Sequence, residues 1–268
     1  MATDLTCLIN DLSAETAVLD DILAPLSGAE WRMATPAVGW RIADQVSHLA
    51  YFDETTLLSL VDPDGFRRGA SALLARGDDF PDQIAAGHRH LGGSDLLPWF
   101  RRARADLLEG YARLEPDRRL PWYGPDMGPA SSVTARLMET WAHGQDIADA
   151  LGVERPATDR LRHIAHLGVR TMTFSFAVHD KPVPAGLVRV ELAAPGGGEW
   201  SWGPPDTRDR VTGTALDFCL AVTQRRHLSD TALDITGDSA AAWMSVAQAF
   251  AGAPGTGRAP MNSQGART

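Results

Sequence analysis

The segment Met138-Glu139-Thr140-Trp141-Ala142-His143-Gly144-Gln145-Asp146-Ile147 puts a carboxylate and an imidazole four residues apart inside a helical pattern. Four residues turn an α-helix by about 400°, so Glu139 and His143 project from one face about a turn apart. That spacing suits two ligands of one divalent metal ion, and it equally fits an exposed pair on a helix surface. A third donor of similar chemistry, His48, lies far upstream in Trp40-Arg41-Ile42-Ala43-Asp44-Gln45-Val46-Ser47-His48-Leu49-Ala50. If both helices belong to one bundle, the three side chains can meet in its interior. Three protein ligands leave a coordination position open, as catalytic zinc sites do and structural ones do not.

The remaining pattern agrees with a bundle. Leu5, Leu8, Ile9, Leu12, Val18, Leu19, Ile22 and Leu23 recur near helical spacing and predict a helix over 4–26, stopped by Gly28. Further helices are predicted over 41–60, 96–114, 132–151 and 159–178, while 64–93 holds only short amphipathic pieces. The Pro- and Gly-rich stretch 116–129 reads as a long loop, which inside a compact domain is often functional. After Lys181-Pro182-Val183-Pro184 the pattern changes. Residues 187–192 alternate like a half-buried strand, 199–202 pair with them across a Gly-rich turn, and 231–236 read as another strand. Residues 213–226 and 239–250 read as helices. The expected fold is an antiparallel α-helical bundle over 1–180 followed by a small α+β domain over 181–252. Residues 253–268 lack apolar periodicity and are expected to form a disordered tail.

A formal net charge of −9 argues against a partner that is nucleic acid or an anionic membrane. No apolar run approaches the roughly 18 residues of a membrane helix. Asp4, Asp11 and Glu15 replace the basic start of a signal peptide, so none is expected. The two cysteines, Cys7 and Cys219, both sit in apolar helical patterns and are read as buried free thiols. The expected compartment is therefore reducing and cytoplasmic.

Gly39-Trp40-Arg41-Ile42-Ala43-Asp44-Gln45-Val46-Ser47-His48-Leu49 resembles the helix motif of the DinB-like metalloproteins. In particular it resembles the mycothiol-dependent maleylpyruvate isomerase family, whose pattern is a Trp, an Asp and then a metal-binding His. Glu139-Thr140-Trp141-Ala142-His143-Gly144-Gln145-Asp146 is similar to that family's second motif, and residues 218–227 lie where the family has its smaller α/β domain. The resemblance implies a DinB-like bundle with His48, Glu139 and His143 as ligands of zinc or another divalent metal. It also implies a small-molecule substrate and a low-molecular-weight thiol, such as mycothiol, as cosubstrate. Zinc favours a coordinated thiolate, and the thiolate is the reactive nucleophile. Neither cysteine lies in a motif suited to that work. The reaction would be an isomerisation or a thiol transfer to a small electrophile. Two readings compete with it. In one, the metal acts on a carbonyl or on water in a lyase, cyclase or hydrolase. In the other, the chain is a non-catalytic metal-binding or small-molecule-binding protein.

Several further residues carry paired readings. Asp44, four residues before His48, and Asp146, three after His143, either orient a metal ligand or serve as ordinary helix carboxylates. Arg225 or Arg226 could hold a substrate carboxylate or phosphate, and the resemblance implies that an Arg of this domain serves substrate binding; by position they are also charges favoured at a helix C-terminus. His163 and His166 could form a second metal pair but read better as partly exposed helix residues, and His88-Arg89-His90 falls in a loop-like region. Asp53-Glu54 reads as a solvated acidic face, with lining of the pocket mouth as the alternative for Asp53, and Trp122, Tyr123, Trp200 and Trp202 read as core or interface residues. Gly196-Gly197-Gly198 lacks the following helix and Lys of a phosphate loop.

Overall fold

Helix α1 (Leu5–Leu23) begins where the Asp4 carboxylate accepts the Thr6 amide at 3.1 Å, and it buries Leu8, Leu12, Leu19 and Leu23 along one stripe. Cys7 falls off that stripe and is exposed, against the expectation for it, whereas Cys219 is buried. The computed structural model describes residues 4–115 and 117–261. They divide into two units between Arg155 and Pro156.

In the first unit α1 is followed by α2 (Ile42–Val61), α3 (Pro63–Leu74), α4 (Phe80–Gly87), α5 (Gly93–Ala112) and α6 (Pro129–Leu151). Helices α3 and α4 fill the stretch whose sequence shows only short amphipathic pieces. The bundle is made by α2 against α5 and α6, and by α1 against α6 and α5. Along α2, Gln45, His48 and Asp53 meet His143, Glu139 and Arg136 in turn, so α2 and α6 run antiparallel. Leu57 and Leu60, near the end of α2, lie against Gly110, near the end of α5, so these two helices point the same way. The crossover through α3 and α4 permits this. Leu19, Leu23, Trp31, Ile42, Val46, Leu49, Leu96, Phe100 and Ile147 form one apolar cluster between the helices.

An ion triad lies buried in this bundle. Asp53 has no exposed surface; Arg104 and Arg136 expose 1% and 2%. Arg104 clasps the Asp53 carboxylate with two bonds, at 2.8 and 3.1 Å, and Arg136 donates to it at 3.0 Å. Arg104 also donates to Thr16 Oγ1 at 2.5 Å and Thr140 Oγ1 at 3.0 Å, so the triad ties α1, α2, α5 and α6 together. Asp53 is thus no solvated acidic residue; its neighbour Glu54 accepts the Trp99 indole N–H at 2.7 Å.

The second unit contains α7 (Leu161–Arg170), α8 (Met172–Val178), β1 (Val188–Ala193), β2 (Glu199–Trp202), β3 (Asp209–Thr214), α9 (Ala215–Val222), β4 (Asp234–Thr236) and α10 (Asp238–Met244). The strand order is β2-β1-β3-β4, with β1 and β3 parallel and the outer pairs antiparallel. Strand β3 has no counterpart in the sequence reading, which ran a helix over 213–226. Its residues Asp-Arg-Val-Thr-Gly-Thr offer one apolar side chain, Val211, and no visible alternation. Helix α7 packs on α9, where a Cβ at Gly168 would come within 2.8 Å of Val222. This close approach gathers 161–178 into the second unit, so the division falls at 155 and not at 180. Residues 253–261 are tied to the unit rather than loose. Gln248 donates to the Ala253 carbonyl and accepts the Gly255 amide, and the Met261 amide reaches Asp230 at 2.9 Å. Residues 262–268 of the expected tail lie outside the described residues. No described helix is long and apolar enough to cross a membrane.

Removing one member of a buried ion cluster strands the others without compensation, a loss of about 3–5 kcal/mol. Asp53→Ala is expected to lose that much in denaturant unfolding, because two buried guanidinium groups would face each other. A loss below about 1 kcal/mol would show that the triad is not what fastens the bundle.

Candidate metal centre

His48 sits on the second turn of α2, and Glu139 and His143 sit one turn apart in the middle of α6. The antiparallel pairing brings them together. Glu139 Oε2 lies 3.0 Å from His143 Nε2 and 3.6 Å from His48 Nε2. The three donor atoms fall within 4.8 Å of one another, and among the described residues no other such group of three occurs. Both imidazoles are about nine-tenths buried, while the Glu139 side chain keeps 23% of its surface. Two imidazole nitrogens and one carboxylate oxygen are a donor set used by catalytic zinc.

A chain of hydrogen bonds fixes which nitrogen of His143 faces this point. The Trp40 carbonyl can only accept, so the Thr35 hydroxyl donates to it at 3.0 Å. Thr35 Oγ1 in turn accepts from Gln45 Nε2 at 2.9 Å. That leaves Gln45 Oε1 as acceptor for His143 Nδ1–H. The Nε2 lone pair of neutral His143 then points at the Glu139 carboxylate. Two acceptors facing each other require a cation between them, a proton or a metal ion. The residues present therefore fit a divalent metal on the grounds of hydrogen-bond direction as well as donor type.

His48 has no such polar support. Its Nδ1 is buried without a partner among the described residues. Rings hold it instead: Phe52 at 4.5 Å, His143 at 4.4 Å and Trp40 at 5.4 Å between centroids. Trp40 also stacks on His143, at 5.9 Å and 17°, and its indole N–H is anchored on Asp82 at 2.6 Å. Burial first, and then the neighbouring His143, pull the His48 imidazole down to about 4, so it is neutral and able to ligate near neutrality. Burial alone would raise the Glu139 carboxyl, but with a proton between the facing acceptors the bonds from His143, and then His48, outweigh it and hold the group well below the usual carboxylate range. Beyond Phe52 the aromatic wall continues with Phe80, Trp122 and Tyr123. The last two come from the long 116–129 loop. Burial pushes the Tyr123 hydroxyl up to about 12.

The other candidates separate clearly. Asp44 does not face the imidazoles. Its carboxylate accepts the Arg41 amide at 2.8 Å and pairs with Arg89 at 3.0 and 3.1 Å, so the helix-start reading holds. Asp146 is buried on α6. His88 and His90 donate through Nδ1 to the Ile84 and Gly87 carbonyls, and His166 Nδ1 accepts the Trp202 indole N–H at 3.1 Å. Arg225 and Arg226 follow α9 in the second unit. Gln224 takes φ 60° there, which lets both following amides reach the Leu220 carbonyl. Sequence reasoning chose Asp44 and passed over Gln45. The signal was present: Gln45 lies three residues before His48, on the face that carries it.

A family model described as the mycothiol maleylpyruvate isomerase N-terminal domain matches residues 12–148. Two uncharacterized proteins of Mycobacterium tuberculosis, Rv0036c in strain H37Rv and MT0041 in strain CDC 1551, are each 48% identical to the chain over 250 residues. The match covers 93% of this chain and 97% of each relative. Among solved structures, the crystal structure of the mycothiol-dependent maleylpyruvate isomerase superimposes with a TM-score of 0.59 at 14% identity. It covers 87% of this chain and 92% of that one. A histidine-to-alanine mutant of the same isomerase gives the same TM-score, covering 86% and 93%. At that identity the likeness is one of fold.

Loss of an outer hydrogen-bond partner typically weakens a metal site about 10–100-fold. Gln45→Leu should weaken zinc binding by that factor in competition with a chromophoric chelator, with an unchanged circular dichroism spectrum. His143→Ala should abolish stoichiometric zinc. An unaltered affinity in Gln45→Leu would mean that the hydrogen-bond chain does not set the ligand.

Proposed function

The chain belongs to the mycothiol maleylpyruvate isomerase N-terminal domain family, and from that premise we propose that it is an enzyme of thiol-dependent isomerisation acting on a small electrophilic alkene. His48, Glu139 and His143 would hold one divalent metal, zinc in the first instance. The observation that carries this reading is the facing pair of acceptors, His143 Nε2 and Glu139 Oε2, at 3.0 Å. When bound there, such an ion supplies positive charge that favours a thiolate over a thiol at its open position.

The chain's own residues do the rest. Gln45 keeps the proton of His143 on Nδ1, away from the ligand point. Trp40 and Phe52 cover the imidazoles and exclude water from that side. Glu139, the most exposed of the three, marks the side from which small molecules would arrive. The sulfur must come from outside the chain. Cys7 is exposed on α1, and Cys219 is buried with its thiol pushed up by that burial, so it stays protonated. A low-molecular-weight thiol such as mycothiol fits the role. Its sulfur would add to one carbon of a conjugated alkene, the former double bond would rotate, and the thiol would leave unchanged. In a transferase the adduct would instead be the product. Arg225 and Arg226 are proposed to hold a substrate carboxylate. A thiol cosubstrate is consistent with a reducing compartment such as the cytoplasm.

Cobalt accepts the same classes of ligand as zinc and makes the site visible. In the cobalt-loaded protein, titration with mycothiol should raise a sulfur-to-cobalt charge-transfer band and release a proton. His48→Ala should lose the band. Normal cobalt loading with no spectral response to millimolar thiol would refute the thiol reading and favour carbonyl or water activation.

Chelation should abolish turnover while leaving helical circular dichroism near its starting value, because the bundle has its own apolar core and ion triad. Global unfolding on chelation would instead mean that the metal is structural.

A further inference from the structure

A second cavity, of about 250 Å³, opens in the first unit where the start of α5 meets the loop before α2. Its walls include Trp31, Arg32, Arg41, Arg89, Gly92 and Gly93. The charged side chains in its lining are three arginines against a single aspartate. Arg89 is neutralised by Asp44, the one carboxylate in the wall. Arg32 and Arg41 are exposed, and neither has an ion pair among the described residues. A Cβ on Gly28, also in the wall, would lie 3.6 Å from Arg32 Nη1, which places that guanidinium over the cavity edge.

The cavity also reaches the amino end of α5, a helix of 20 residues. Asp95 takes the Gly92 amide through a long bond of 3.4 Å, but nothing described accepts from the Gly93 amide. Trp31 adds a further unmet donor. The residue is only 5% exposed, and its indole N–H has no acceptor among the described residues. A Cβ on Gly93 would come within 2.3 Å of Trp31 Nε1, so glycine is what lets the indole edge sit against the helix start. This indole N–H is not one of the described donors sealed from solvent without a partner, so it is available to an anion in the cavity.

We propose that this cavity is a binding site for a phosphoryl dianion, separate from the candidate metal centre. Two unpaired guanidinium groups match two negative charges, and Arg recognises phosphate oxygens in pairs. The Gly93 amide and the positive end of α5 reinforce the same preference. The Trp31 indole donates to one oxygen. The same chemistry is presented by free phosphate and by a small phosphate monoester. The assignment does not depend on the metal or the thiol.

The test follows the Trp31 indole proton in nitrogen-15-labelled full-length protein, identified by its absence in Trp31→Phe. Glycerol phosphate, inorganic phosphate, succinate and sodium chloride are titrated at matched ionic strength. The indole resonance should shift saturably with the phosphates at up to about millimolar concentration. It should respond at least about tenfold more weakly in Arg32→Gln/Arg41→Gln. Tighter binding of glycerol phosphate than of inorganic phosphate would identify the monoester as the ligand, and the reverse would identify the free ion. No saturable shift, an equal response to chloride, or a response to succinate as strong as to phosphate would overturn the proposal. So would unchanged affinity in the double variant with its circular dichroism preserved. Both arginines are exposed and unpaired, and the single variants serve the same comparison if the double one does not fold.

Discussion

The first unit is organised around a carboxylate that no water reaches. Asp53 is expensive to bury, and two arginines, one from α5 and one from α6, are what make it tolerable. Once Arg104 and Arg136 both converge on it, α2, α5 and α6 have little freedom to slide. Arg104 extends the constraint to α1 through Thr16. The candidate metal ligands share these helices. Arg136 lies three residues before Glu139, and Asp53 five after His48, so the register that closes the triad also aligns the ligands. An apolar core alone would hold the helices together with less precision, because hydrophobic burial has no direction.

Direction also governs the candidate centre. The Trp40 carbonyl can only accept, and from that fact the proton positions follow through Thr35 and Gln45 to His143. The path begins in the loop before α2 and ends on α6, so a loop residue determines the protonation pattern of a side chain on another helix. Trp40 contributes twice, by its carbonyl in this chain and by its ring, stacked on His143 and tilted against His48. That double use gives a physical reason for a Trp shortly before the His in this motif.

Periodicity made the long helices of the bundle and the Glu139–His143 pair legible, whereas His48 was joined to that pair by the family resemblance. Residues four apart on a helix must share a face, whatever the remaining fold. Asp53 was misread for a related reason. Its two partners lie 51 and 83 residues away, and nothing local marks a carboxylate as buried. Gln45 and Asp44 occupy adjacent positions, and only the bonding of each tells them apart: Asp44 turns to Arg89, and Gln45 turns to His143. In the second unit, β3 was hidden because its pairing with β1 and β4 carries it rather than its own pattern. The expected disordered tail was read from composition, whereas residues 253–255 are held by one buried glutamine whose carboxamide reaches backbone groups.

Charge links the triad to the centre beside it. Two arginines against one aspartate leave a formal excess of one positive charge inside the bundle. Arg136 belongs to the set that lowers His48, and it does so in the same direction as burial. The Glu139 carboxylate, held in its charged form, is the nearby counterweight. A cation entering between Glu139 and the two imidazoles therefore meets one negative charge on its near side and a fixed positive excess behind it. Such an arrangement would leave a divalent ion held there incompletely neutralised. An ion left with residual positive charge still attracts an anionic ligand at its open position, which is the property a thiolate site needs.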